Sequence, residues 1–399
     1  MSGEAALARR DVEFRLALLY GAVFLIFGVQ APFIAVWLGT QGLSLAQIGV
    51  VLAAPRLLQA LGVPIFARWA DKRGEVTQML AVSAILMTAL FAALIFAKGV
   101  AAVLLTVGLL FSAQSGAMPL CDVLAFALFR SAEAAPGASP NFDYGRVRKW
   151  GSAAFIAGDV GGGLFLDATS ISAVTIALAA SAALAVGAAI YAAPLDAMAK
   201  PATPKAPDPA GAVGAGILGL VIGANVLIQA SHVFANSFAA IHWTAQGHST
   251  VFVGAVYAAS VLGETLFFAF YGRWIFGTRQ AAVLLAIGGA TAVLRWVVMS
   301  LDPPAAILAL AQLGHGFSFA ASHVGAMLLI AELAPVGYRA RAQGWMTAGA
   351  AGLGGALMPA FAPLYGRAGE GAYLAMAGVA AVGLCLALVA ARSRRRALR

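Results

Sequence analysis

Apolar runs of about 20 residues, separated by short polar stretches, fill nearly the whole chain. They fall at approximately 14–38, 45–69, 78–97, 100–129, 146–168, 171–194, 214–240, 250–272, 279–300, 304–332, 341–366 and 371–392. A helix rises 1.5 Å per residue, so each run is long enough to cross the hydrocarbon of a bilayer. The pattern predicts an all-α membrane protein with twelve transmembrane helices.

One polar interval differs from the rest. Residues 195–213 hold Lys200, Pro201, Pro204, Lys205, Pro207 and Pro209, and read as a proline-rich linker. It divides the spans six and six. The expected domains are therefore 1–194, a linker at 195–213, and 214–399 with a basic tail. The halves echo each other. Phe66-Ala67-Arg68-Trp69 follows span 2, and Tyr271-Gly272-Arg273-Trp274 follows span 8. Tyr144, Arg146, Arg148 and Trp150 open span 5; Tyr338, Arg339, Arg341 and Trp345 open span 11. Two matches at equivalent places point to a parallel duplication, as in transporters whose solute site lies between the halves.

Composition removes the soluble alternatives. Only 10% of the 399 residues are charged and 62% are hydrophobic, against about 25% charged in a soluble protein. The net charge of +9 invites a nucleic-acid partner, but the positive residues sit in short loops between apolar runs. Of the 25 Lys and Arg, 21 fall in segments that are inner if the N-terminus is inside. Lys98 and Arg367 fall outside, and Arg56 and Arg295 lie within spans. That asymmetry predicts both termini in the cytoplasm, and the expected location is a bacterial inner membrane. Charged residues precede Phe14 and a span-length run follows it, so no cleavable signal is expected. Cys121 and Cys385 lie within spans, so no disulfide framework is implied. No Walker-type nucleotide loop is present, and no cofactor or metal site is expected. The expected partners are the lipid bilayer, protons and a small-molecule solute, for a chain working as a monomer.

Nine ionisable residues stand out inside the apolar runs: Arg56, Asp122, Arg148, Asp159, His232, Glu264, Arg295, His315 and His323, with Arg148 at a span edge and countable either way. Such groups are costly in hydrocarbon and commonly mark a solute or proton path. In span 7, Asn225, Gln229, His232 and Asn236 share one helical stripe. It faces either a wet cavity or a neighbouring helix through hydrogen bonds. In span 10, Gln312, His315, Ser318 and Ser322 share a face, with His323 about 80° away from His315 in an ideal helix. Glu264 is either a proton carrier tuned by Arg295 or its permanent ion-pair partner. Asp159, followed by three glycines, is either part of the path or a buried acid at a close helix contact. Gln30 precedes Pro32, and Asp122 follows Gln114, Ser115, Met118 and Pro119, both at places where a helix is expected to bend or open.

Twelve spans, a central linker and the loop Arg68-Trp69-Ala70-Asp71-Lys72-Arg73-Gly74 together resemble the major facilitator superfamily over essentially the whole chain. The loop looks like a degenerate Gly-x-x-x-Asp-Arg-x-Gly signature, with Ala67 for its first Gly and Lys72 for its Arg. Tyr144-Gly-Arg-Val-Arg-Lys-Trp-Gly-Ser152 and Ser231-His232-Val-Phe-Ala-Asn236 resemble the phenylpropionate-permease-like branch, related to lactose permease-type proton symporters. Gly263-Glu264, Arg295 and His315 match that group's pattern in type. Gln312 stands where it has Lys, and Ser318 where it has the Glu usually assigned the proton. Gly145-Arg146-x-Arg148 matches its Gly-Arg-x-Arg at helix 5, which implies a substrate contact for Arg148 and an aromatic partner in Phe155. Asp122 is the available acid on helix 4.

The resemblance implies a secondary transporter working by alternating access. Proton-coupled uptake of a small organic solute is expected, with an aromatic or other small carboxylate first and a sugar or nucleoside as the alternative. Proton-driven efflux and, more remotely, a membrane-embedded enzyme stay open. Proton-coupling candidates are Glu264, His315, Arg295 and Asp122. Substrate-binding candidates are Gln30, Arg56, Arg148, Phe155, Asn225, Gln229, His232, Asn236, Gln312 and Ser318. Asp71, Lys72 and Arg73 are gating candidates, or alternatively plain topology signals.

Overall fold

A computed structural model describes residues 3–54, 75–133, 144–199, 215–274, 280–335 and 338–397. Among them every regular element is helical. In chain order they are α1 (Gly3–Thr40), α2 (Leu45–Ala54), α3 (Val76–Phe96), α4 (Val100–Gln114), α5 (Ala117–Glu133), α6 (Tyr144–Ala168), α7 (Val174–Ala192) and α8 (Leu195–Met198). Then come α9 (Ala215–Ala230), α10 (Ala235–Ala245), α11 (Thr250–Trp274), α12 (Ala281–Met299), α13 (Ala305–Leu313), a π-helical segment (Gly316–Ala321), α14 (Ser322–Leu333), α15 (Arg339–Ala368) and α16 (Tyr373–Ala397).

Eight stretches of the described residues are long and apolar enough to cross a membrane, the last running through α15 and α16. The short apolar helices α2 and α9 add to them. α6 is also of spanning length, with 25 residues. Most of expected span 2 and the linker lie outside the described residues, as do Arg56, Asp71, Lys72 and Arg73.

Three expected spans are not continuous α-helix. Span 4 breaks at Ser115 and Gly116 into α4 and α5. Pro119 then sits in the first turn of α5, where its missing N–H would have had no helical partner anyway. Span 7 breaks at 231–234, where the N–H groups of His232 and Val233 reach back only three residues, to the carbonyls of Gln229 and Ala230, at 3.2 Å each. Span 10 carries its π segment directly after His315. A π turn holds an extra residue, so the ideal-helix angle between His315 and His323 does not apply.

The described chain forms two compact units. One comprises Met1–Leu43, Leu57–Pro204 and His248–Ala255; the other comprises Ser44–Arg56, Lys205–Gly247 and Val256–Arg399. In the first, α1 packs on α6 and α7, and α3 on α4, α5 and α7. In the second, α9 packs on α14, α15 and α16, and α12 on α14 and α16. Both are apolar on the outside. Phe96, Leu105, Leu184 and Leu294 are each more than 60% exposed, while Gln30, Gln114, Asp159, Asn225, His232, Arg295, Gln312 and His315 are buried. That distribution suits lipid as the solvent.

Small residues set how close the backbones come. A Cβ on Gly28 of α1 would lie 2.2 Å from the Phe155 carbonyl oxygen on α6. A Cβ on Gly263 of α11 would lie 2.2 Å from the Leu313 carbonyl oxygen, and one on Gly316 would lie 2.2 Å from the Gly263 carbonyl oxygen. Only glycine permits backbones this close. The second crossing sits beside Glu264 and His315.

Candidate functional site

The second unit collects its polar groups around Arg295 on α12. The guanidinium donates from Nε to the Ala311 carbonyl (2.6 Å), from Nη1 to His315 Nδ1 (3.1 Å) and Ser318 Oγ (2.6 Å), and from Nη2 to Gln312 Oε1 (2.8 Å). Four of its five N–H groups are thus engaged. Its Cζ lies 4.7 Å from the Trp296 ring centroid, within cation–π range. Arg295 is therefore held by its own helix and by the α13–π segment, rather than presented as an open fork.

These contacts determine the histidine tautomers. Arginine has only N–H groups to offer, so His315 Nδ1 accepts and Nε2 carries the hydrogen. His315 Nε2 lies 2.9 Å from Glu264 Oε1 on α11. A second hydrogen on Nδ1 would set a donor against a donor. The His315 ring thus bridges Arg295 to Glu264. His232 is turned the other way. Its Nδ1 donates to the Ile228 carbonyl at 2.9 Å, so Nε2 accepts from Ser318 Oγ at 3.0 Å. Ser318 takes a hydrogen from Arg295 and gives its own to His232.

Aromatic rings enclose this network. The His232 ring centroid lies 5.0 Å from that of Trp296, 5.1 Å from His315 and 5.7 Å from Phe319. Trp296 Nε1 donates to Ser231 Oγ at 2.9 Å. The tightened turn at 231–234 is what brings Ser231 and His232 to α12 and the π segment. One turn earlier, Gln229 donates to the Phe319 carbonyl (3.0 Å) and Ser322 Oγ (3.2 Å). Gln229 Oε1 and Asn225 Nδ2 are buried with no partner among the described residues. An acceptor and a donor left unmet one turn apart are what a polar solute group or water would satisfy. Asn236 lies in α10, and its side chain is outside the described set.

In the first unit the candidates form smaller groups. Gln30 and Gln114 exchange amide hydrogen bonds at 3.1 and 2.7 Å. Tyr20 donates its hydroxyl to Asp122 Oδ1 at 2.6 Å. The Arg148 Cζ lies 4.1 Å from the Phe24 ring centroid and 6.0 Å from that of Tyr20. Phe155 meets Phe24 edge-on at 6.5 Å. Asp159 is fully buried, and neither carboxyl oxygen has a partner among the described residues. A charge in that position is costly; a bound proton or cation offsets it. Gly254 passes close by, since a Cβ there would lie 2.1 Å from the Asp159 carbonyl oxygen.

Sequence reasoning singled out Glu264, Arg295, His315, Gln312, Ser318 and His232, and the structure joins all six in one network. It did not find Ser231, Phe319 or Tyr20. Serine and phenylalanine in an apolar span carry no signal of their own, and Tyr20 lies 102 positions from Asp122.

Helices long and apolar enough to cross a membrane, with charged and hydrogen-bonded groups buried among them, are those of a multi-pass membrane protein. Residues 14–361 match the MFS_1 like family, and the chain belongs to that family of the major facilitator superfamily. It is 30% identical over 381 residues to a probable 3-phenylpropionic acid transporter of Escherichia coli (strain K12), covering 92% of this chain and 94% of that protein. It is 26% identical over 357 residues to the maltose permease of Geobacillus stearothermophilus, covering 88% and 86%. In fold it is similar to the nucleoside transporter NupG, with a TM-score of 0.74 at 17% identity over 95% of this chain and 98% of that one. The protein is a transporter of small solutes rather than an enzyme.

Proposed function

We propose that the chain performs proton-coupled uptake of a small organic acid by alternating access, with the N-terminal and C-terminal six-span halves as the moving bodies. The observation that carries the reading is the chain Arg295–His315–Glu264. Arg295 is 4% exposed, the His315 side chain 10% and the Glu264 side chain 29%. The fixed charge is thus sealed at one end and the carboxyl is the accessible end. Glu264 loads and releases the proton, and His315 transmits its charge state to Arg295, Ser318 and His232. The acid missing at Ser318 is thereby replaced by one on a neighbouring helix.

An aromatic or other small carboxylate is the substrate class, supported by the similarity to the 3-phenylpropionic acid transporter. Arg148 above Phe24 is a cation beside aromatic surface, suited to that chemistry. Asn225, Gln229 and His232 would meet its polar groups, with Gln30, Phe155, Arg56, Asn236 and Gln312 as further contacts. Asp71, Lys72 and Arg73 act as the gate. A sugar or nucleoside remains the alternative, favoured by the unmet amide atoms of Asn225 and Gln229 and by the maltose permease relative.

The test is accumulation in proteoliposomes with the outside acidic. Wild type concentrates labelled 3-phenylpropionate, and Glu264→Gln loses accumulation but keeps exchange of solute across the membrane. Full accumulation by Glu264→Gln removes Glu264 as carrier. Asp122→Asn and Asp159→Asn then compete for the role, with Asp159 favoured because neither of its oxygens has a partner among the described residues. Accumulation of maltose or a nucleoside instead of the acid replaces the substrate class. Export under the same gradient reverses the direction.

A further inference from the structure

At the end of the second unit opposite the C-terminus of α16, three ligand-bearing side chains converge from three separate connections. His242 lies in the last turn of α10, Asp302 in the loop between α12 and α13, and Glu370 in the 3-10 turn Gly369–Ala372 between α15 and α16. One nitrogen or oxygen from each lies within 4.8 Å of the other two. His242 Nε2 is 3.5 Å from Asp302 Oδ1 and in direct contact with Glu370 Oε1. It is shut off from solvent, yet it makes no hydrogen bond of acceptable geometry among the described residues.

The ring is held in place from its other side. His242 Nδ1 lies 3.1 Å from Tyr365 Oη. When Nδ1–H donates to that oxygen, the Nε2 lone pair faces the two carboxylates. Gln246 donates to Asp302 Oδ2 at 2.5 Å. Asp302 itself has φ +49°, a left-handed conformation that aspartate tolerates better than most residues. In that tautomer three lone-pair-bearing atoms converge, and they repel one another unless a cation or a bridging proton lies among them. A second-sphere oxygen on the far nitrogen of a histidine is the arrangement that orients metal-binding imidazoles.

We propose that His242, Asp302 and Glu370 form a binding site for a divalent transition-metal ion, with Zn2+ the best match. One imidazole and two carboxylates suit zinc, which takes nitrogen and oxygen donors at about 2.0–2.2 Å and completes its shell with water. The hard ions Mg2+ and Ca2+ prefer all-oxygen sites. The Glu370 carboxylate has to swing aside to admit the ion, which its short 3-10 turn allows. The bound ion ties together the ends of α10, α12, α13, α15 and α16. No linear spacing announces this group, because its ligands are 60 and 68 positions apart.

The test uses the full-length protein in nanodiscs, purified without a polyhistidine tag and stripped with chelator. ZnCl2 binds with one ion per chain and raises the apparent melting temperature by roughly 3 °C at a hundredfold excess over Kd. MgCl2 at the same concentration does neither. His242→Gln and Glu370→Gln each weaken zinc binding at least tenfold, and Tyr365→Phe weakens it about tenfold through the imidazole. Lowering the pH from 7.5 to 5.5 weakens binding in the wild type, since an imidazole must be unprotonated to bind a metal ion. If His242→Gln fails to fold, the Glu370 variant and the wild-type pH competition decide the matter. The proposal is overturned if no saturable zinc binding occurs, or if binding survives both ligand substitutions. It is overturned equally if His242 alters stability with pH while zinc adds nothing, the signature of a proton-bridged ion pair.

Discussion

Replacing Gly263 by alanine places a methyl carbon 2.2 Å from the Leu313 carbonyl oxygen and 2.9 Å from its carbonyl carbon. Non-bonded carbon needs about 3.2–3.5 Å from such atoms, so α11 and α13 must part by about 1 Å. The His315–Glu264 contact, 2.9 Å in the wild type, would then open to about 4 Å, beyond hydrogen-bond range. Overpacking costs about 1–3 kcal/mol, and losing a hydrogen bond to a charged group adds about 1.5–3 kcal/mol. The expected loss of stability is therefore roughly 2–6 kcal/mol, with proton-driven uptake falling alongside. Gly352→Ala is the matched control, because a Cβ there meets nothing within 4 Å. Both variants are compared by thermal unfolding in detergent and by uptake in proteoliposomes. A Gly263→Ala protein as stable and active as Gly352→Ala would refute the claim that this crossing sets the Glu264–His315 geometry.

Arg295→Lys keeps the charge but offers three donors to the four acceptors now served. At least one is left unmet, so stability falls by about 1–3 kcal/mol in chemical unfolding, and uptake is lost. Gln30→Leu alone strands the Gln114 amide and costs about 2 kcal/mol or more, whereas Gln30→Leu with Gln114→Leu returns to within about 1 kcal/mol of wild type; a double-mutant cycle by thermal unfolding checks it. Asp196 accepts the Thr77 N–H at 3.1 Å and its hydroxyl at 2.5 Å, capping α3 from another helix. Asp196→Ala should cost about 1 kcal/mol, measured the same way. Burial holds the Asp196 carboxyl above the ordinary carboxylate range, although hydrogen bonds from Thr77 pull it down. Its folded pKa exceeds its unfolded one, so its contribution is fully present below about pH 3.9 and is lost as pH rises through the folded value. Melting curves across that window should show wild type losing stability relative to Asp196→Asn.

The transmembrane helical fold was legible in the chain because a bilayer imposes a length and an apolarity that a linear pattern can display. The candidates of the second half were legible too, because charged and amide side chains in hydrocarbon are rare enough to stand out. Their arrangement was not. An ideal helix placed Asn225, Gln229, His232 and Asn236 on one stripe, but the chain tightens at 231–234 and aims His232 at Ser318. Ideal geometry also misplaced His323, because the π segment after His315 adds a residue to the turn. Glu264 read as either a proton carrier tuned by Arg295 or its ion-pair partner, and His315 stands between the two in the chain of hydrogen bonds.

What the sequence determined by itself was the helical membrane class and the residues whose chemistry is too costly to bury without purpose. These depend on composition and period, which are local properties. Only the tertiary structure decided which nitrogen of each histidine carries the hydrogen and why glycine precedes Glu264. It alone brought Asp302 and Glu370 to His242. Those outcomes depend on distances between helices far apart in the chain, set where backbones approach closely and where a turn departs from the regular helix.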